Sequence, residues 1–251
     1  MVLKQVEISL NTLLTAMGQA GCGEPHQVFA GGLRYVPPSF ANRVNREAFE
    51  ELSPFGLTQG DGFTSEFEDV LHVLDHPATE YFAYARDMAE QIGVLVAVQG
   101  RFAVTALCQG ERVWLKTVGW ENSPVDALVA NLPQRAPAHF APFSLSQDEF
   151  QHQEEVDDLY DNSPARSRAA RQLDEIFEQP YYGVGQIYAA KRVNGGPRTL
   201  TQDSLSYLDV DAGRVAVLLS GTPGNRYITV LPGEPGLLGQ KVAALRAGLD
   251  H

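Results

Sequence analysis

The chain has 251 residues, 44% hydrophobic and 20% charged, the values of a globular protein able to bury a sizeable core. Its 19 basic against 31 acidic residues leave a formal charge of −12, which argues against a nucleic-acid backbone or an anionic membrane as main partner, since both need clustered Lys and Arg. The start, Met1 to Glu7, has no basic run leading into an apolar stretch, and the most apolar segment, Ile92 to Cys108, is broken by Gln99-Gly100-Arg101, so neither a signal peptide nor a membrane span is expected and the chain reads as soluble and cytoplasmic.

Residues 4–9 alternate loosely and are expected to form a strand. Leu10, Leu13, Leu14 and Met17 recur at helical spacing, and Gly18 to Gly23 end that helix. Cys22 and Cys108 lack metal-type spacing and are expected to be inert thiols in apolar surroundings. Residues 24–42, rich in Pro and Gly, carry no assignable element. A helix is expected from near Asn45 to before Pro54, and Gly60-Asp61-Gly62 is a turn. Ser65, with Glu68 three residues on, reads as a capping box for a helix with the stripe Phe67, Val70, Leu71 and Leu74, stopped by Pro77.

The period then changes from 3.6 to 2. Tyr81–Arg86, Val94–Val98, Phe102–Leu107 and Arg112–Val118 read as strands, the last three joined by short turns that make them antiparallel. Ser123-Pro124 opens a helix to Leu132. Residues 133–163 hold Pro133, Pro137 and Pro142, then Asp148, Glu149, Glu154, Glu155, Asp157, Asp158 and Asp161, and read as a connector. Ser163-Pro164 then opens a helix with the stripe Ala169, Leu173, Ile176 and Phe177, closed by Pro180. Strands are expected at Gln186–Ala190, Leu205–Asp209, Val215–Ser220 and Tyr227–Leu231, and a last helix from Pro235 to Leu249.

Both halves therefore read helix, Pro, four strands, Pro, helix. Gly100-Arg101-Phe102-Ala103-Val104 aligns with Gly213-Arg214-Val215-Ala216-Val217, Gly110-Glu111-Arg112 with Gly224-Asn225-Arg226, Pro77 with Pro180 and Pro124 with Pro235. A four-stranded meander with helices on one face leaves an edge unsatisfied, and two copies can join edges into one sheet.

This order of elements resembles the EspG family. The residues that carry the resemblance are Phe55-Gly56-Leu57, Asp61-Gly62 before the helix ending Leu74-Asp75-His76-Pro77, Arg101 to Val104, the passage Ala165 to Ala190 with Gly183-Val184-Gly185, and Asp209 to Arg214 before a strand. It implies an α+β fold: a central antiparallel β-sheet with two helical bundles and two pseudo-twofold related halves. The chain would be a single domain, with an N-terminal half of about 1–132, the connector 133–163 and a C-terminal half 164–251. The resemblance also implies a cytosolic, non-enzymatic chaperone of type VII (ESX) secretion. Such proteins bind the apolar helical tip of PE–PPE pairs or related helical-hairpin substrates and keep them soluble, without a cofactor. A 1:1 complex and a monomeric chaperone are expected, with a self-associating module as an alternative. From the family's general binding region, partner contacts are expected at Asp87, Met88, Ala89 and Gln91 and at Tyr207, Tyr227, Leu238 and Val242.

His72-Val73-Leu74-Asp75-His76 has the spacing of an inverted zinc-hydrolase motif with Asp for Glu, so a metal-dependent hydrolase using His72 and His76 is the alternative function; it lacks a third ligand and a longer base. Gly183-Val184-Gly185 precedes a strand and lacks the third glycine of a dinucleotide fingerprint. Asp209 to Gly213 begins like a calcium loop but has no later ligands, and reads as a hairpin turn.

Overall fold

The structure is a computed structural model that describes residues 3–32, 36–119, 121–151 and 167–250. It opens with β1 (Val6–Ser9), α1 (Leu10–Gln19), a short 3₁₀ turn at Gln27–Phe29, and α2 (Pro38–Leu52). A small hairpin, β2 (Thr58–Gln59) and β3 (Gly62–Phe63), leads to α3 (Ser65–Asp75). The first meander is β4 (Thr79–Asp87), β5 (Gln91–Gln99), β6 (Phe102–Gln109) and β7 (Arg112–Thr117), followed by α4 (Pro124–Ala130). The second half contains β8 (Phe143–Ser146), α5 (Gln147–Gln151), α6 (Arg168–Phe177), β9 (Tyr181–Lys191), β10 (Thr199–Leu200), β11 (Ser204–Val210), β12 (Gly213–Thr222), β13 (Asn225–Pro232) and α7 (Pro235–Gly248).

One large antiparallel sheet runs β1-β7-β6-β5-β4-β9-β11-β12-β13-β8, with β10 added beside β9. The seam is β4 against β9, paired from Thr79↔Lys191 to Asp87↔Gly183. On either side the order is the same: a meander counted outward from the seam, then an edge strand that runs straight into a helix of its own half, β1 into α1 and β8 into α5.

Side-chain alternation sorts the core into three groups. On one face Phe82, Leu95, Ala97, Val104 and Leu115 lie under Leu13 and Met17 of α1 and Phe67, Leu71 and Leu74 of α3. On the same face of the other half, Val215, Ile228, Val230 and Leu145 meet Ala170, Leu173 and Ile176 of α6. On the opposite face, Ala83, Ala85, Val94, Val96, Ile187, Ala189, Leu205 and Ala216 form one core with Leu128 of α4 and Leu238, Val242 and Leu245 of α7. The central strands are covered on both faces, which is why β5 is almost continuously apolar from Val94 to Val98.

Several expectations shift. The second helix begins at Pro38, well before Asn45, because a proline suits the first turn where its missing N–H is no loss. Thr64, not Ser65, caps α3: its Oγ1 accepts the Phe67 N–H at 3.3 Å, so Glu68 falls one residue outside the reciprocal position of a capping box. The stretch expected as connector contributes β8, paired with β13, and α5. Ser163, Pro164 and the acids from Glu154 to Asp161 lie outside the described residues. The described α6 is capped by Ser167, whose Oγ accepts the Ala170 N–H at 3.1 Å; Ala170 is buried in the core and Ala169 packs against it.

The stretch from residue 24, left without an element by the sequence, packs on the sheet. Gly93 lets the main chain of Val28 come close: a Cβ there would stand 2.8 Å from Val28 Cγ1 and 3.1 Å from its carbonyl oxygen. Beside it His26 meets Arg198 at 2.8 Å, and the buried Glu80 carboxylate binds Arg198 and lies 3.8 Å from Arg192. Burial, reinforced by Arg198 and Arg192, holds the His26 pKa down to about 3, so this ring is neutral. The cluster ties the chain near residue 26 to β4 and to the loop after β9.

Candidate functional site

The helical layers of the two halves sit over the outer strands of one face. Between them the sheet carries a cleft of ≈ 440 Å³. Even-numbered residues of β4 and β9 face it. Across the floor Arg86 lies opposite Val184, and Val184 opposite Leu208; in the next row Tyr84 lies opposite Gln186, and Gln186 opposite Ser206. Phe177, at the end of α6, forms a wall, and Gln91 marks the border toward the β4–β5 turn. Phe177 is 41% and Val184 38% exposed, so the wall and floor present apolar surface to solvent.

The β4–β5 turn is ordered by its own first residue. The Asp87 carboxylate accepts the N–H groups of Ala89 at 2.8 Å and Glu90 at 2.9 Å, and these bonds hold its pKa below the usual carboxylate range. Met88 stands 80% exposed. The residues expected to bind a partner thus separate into groups. Asp87, Met88, Ala89 and Gln91 lie together beside the cleft. Tyr227 is exposed but lies on the opposite face, on β13 next to the edge strand. Tyr207, Leu238 and Val242 are buried in the core under α4 and α7, so they are not surface contacts; an apolar stripe on an amphipathic helix looks the same whether it meets a partner or the chain's own sheet. Phe177, Val184, Leu208 and Arg86 were missed. Their only sequence signal was a strand with apolar residues on both faces beside a helix end.

The two histidines line a different depression of ≈ 620 Å³ with Glu66, Asp69, Val73, Gln99 and Phe102. His76 Nδ1 is 2.7 Å from Asp75, whose carboxylate also accepts the Gly23 N–H. Among the described residues no group of three or more His, Cys, Asp or Glu side chains could hold a metal ion. Cys22 and Cys108 are free thiols; burial pushes both pKa values up, that of Cys22 to about 11, which leaves little thiolate. No helix among the described residues is long and apolar enough to cross a membrane.

A large antiparallel sheet flanked by helices is also the fold of a solved type VII secretion chaperone. The structure is similar to that of Mycobacterium tuberculosis EspG5 in complex with a PE25–PPE41 dimer, with a TM-score of 0.70 at 12% identity over 96% of this chain and 95% of that one. The chain itself belongs to the EspG family, whose sequence profile matches residues 9–244. Among curated proteins none matches its sequence.

Proposed function

We propose that this protein is a cytosolic, non-enzymatic chaperone of type VII secretion that binds the apolar helical tip of a PE–PPE-type pair, or of a related helical-hairpin substrate, and keeps it soluble. The observation that carries the reading is the cleft over the central strands, with exposed Phe177 and Val184 inside it and the ordered Met88 turn at its border. Helical segments that expose apolar side chains are received by grooves of this kind, and desolvation of those side chains supplies the affinity. Membership of the EspG family and the partner of the similar EspG5 structure support the role. Two free thiols and no disulfide between them suit a reducing compartment.

The same reading takes the two halves as copies of one layered unit, joined at β4 and β9. The matching strand order on each side of the seam supports it. Under it the molecule works by offering a docking surface.

Co-expression with secreted helical pairs encoded near the gene tests the role. A 1:1 complex is expected by size exclusion with light scattering, and Phe177→Asp or Val184→Asp abolishes it while far-UV circular dichroism is unchanged. Failure of the wild-type chain to co-purify any neighbouring secreted pair overturns the reading.

A further inference from the structure

We propose that Arg86 recognises a carboxylate on the client, so that the cleft selects tips in which an acidic side chain sits beside apolar ones. The proposal rests on the chaperone reading and adds the chemistry of the partner.

Arg86 is exposed on the cleft-facing side of β4, opposite Val184. The other strand arginines are all engaged. Arg112 bonds Glu7 at 2.7 Å, Arg214 bonds Asp209 at 2.7 Å, and Arg226 donates to the Gln202 carbonyl at 2.9 Å. Arg86 forms no ion pair or side-chain hydrogen bond among the described residues. Of the acids on the adjoining turns and strands, Asp209 is paired with a cation and the others bond neutral donors. Asp87 turns to the N–H groups of Ala89 and Glu90, Glu90 binds Gln109, Asp209 is held by Arg214, and Asp211 accepts the Tyr182 hydroxyl at 2.6 Å. The cleft lining therefore holds a cation, Arg86, and no carboxylate among the described residues, set beside Val184, Leu208 and Phe177.

Solvent satisfies that guanidinium in the free protein. An apolar tip that fills the cleft strips the water away, and a buried charge with no partner is strongly unfavourable. A client with a carboxylate at that position restores the charge-assisted bonds, in the two-pronged geometry that suits arginine better than lysine. The chain's charge of −12 repels acidic clients only weakly at physiological salt, where screening acts within about 8 Å, so the local cation decides.

The test uses the intact chain and the secreted pair that the wild-type chain co-purifies, with Arg86→Lys, Arg86→Ala and Arg86→Glu, and with client variants in which each tip Asp or Glu becomes Asn or Gln. Arg86→Ala is expected to weaken binding about tenfold and Arg86→Glu further, with Arg86→Lys recovering part. One client carboxylate should couple to Arg86 in a double-mutant cycle, so that losing both groups costs little more than losing one. The salt dependence of the Kd should flatten in Arg86→Ala. Unchanged affinity of Arg86→Glu, or equal losses across all client variants, overturns the carboxylate contact. If wild type binds and Phe177→Asp does not, while Arg86→Glu binds as wild type does, the Arg86 proposal alone falls; if wild type binds no pair, the chaperone reading falls and takes the proposal with it.

Discussion

Tyr207 shows how closely the central core is fitted. Its ring is buried beneath the Arg214 guanidinium, 4.0 Å from the ring centroid, and Arg214 is itself fixed by Asp209 and by the Pro133 carbonyl at 2.7 Å. The Tyr207 hydroxyl has no hydrogen-bond partner among the described residues, and burial pushes its pKa up to about 12. Removing an unpartnered buried hydroxyl relieves a desolvation cost. Tyr207→Phe should therefore be neutral or up to about 1 kcal/mol more stable, read as the urea midpoint. Gly185 lies opposite on β9, and a Cβ there would stand 2.1 Å from the Tyr207 ring. Gly185→Ala should cost about 1–3 kcal/mol by overpacking. In a Tyr207→Leu background the added methyl should cost less, so the two effects should be less than additive in the same denaturation series.

At the scale of elements, caps and tethers fix where helices begin and how they join. Thr64→Ala should destabilise α3 by about 1 kcal/mol, whereas Ser65→Ala, one residue inside the helix, should be near neutral; thermal unfolding of the pair distinguishes the two. Glu51, near the end of α2, ties that helix to the β1–α1 junction. It accepts the Ser9 N–H at 2.7 Å and the Ser9 hydroxyl at 2.9 Å, binds the Thr12 hydroxyl, and lies 3.6 Å from Arg112. Burial alone would raise its pKa, but these hydrogen bonds and the arginine outweigh it and hold the folded-state value below that of an ordinary glutamate. The resulting stability is complete above the unfolded pKa and is lost as pH falls through the lower folded value. Glu51→Gln should thus be less stable than wild type at pH 7 and should lose less on acidification, measured by urea unfolding at pH 7 and pH 3.

Across the whole molecule, the continuous sheet and the core shared by α4 and α7 couple the halves. Both tryptophans, Trp114 and Trp120, are in the N-terminal half, so their fluorescence reports on that half alone. Leu245→Ala, a cavity under the C-terminal helix, should cost about 2–4 kcal/mol. It should move the fluorescence transition and the far-UV circular dichroism transition together. Separate transitions would mean that the halves unfold independently and that the chain is not one cooperative domain.

Much of this architecture could be read from local pattern. Apolar spacing at 3.6 and at 2, with Gly and Pro between, is written into a few consecutive residues, so α1, α3, both meanders and α7 were legible, as was the strand order within each half. The choice between Thr64 and Ser65 as cap was not, because either hydroxyl can play that part and only the helix geometry selects. Nor was the short edge strand Phe143–Ser146, whose partner β13 lies far along the chain. The meeting of β4 with β9 is likewise a pairing between distant segments, and so is the cleft it creates. Leu238 and Val242 share an apolar stripe with any partner-binding helix, and only the sheet packed against them makes them core. Arg86 is one arginine among several until the positions of every nearby carboxylate are known. Sequence by itself determined the elements and their periods, since those depend on near neighbours; the cleft and its unpaired charge were decided by tertiary structure, since burial and pairing depend on residues brought together from distant parts of the chain.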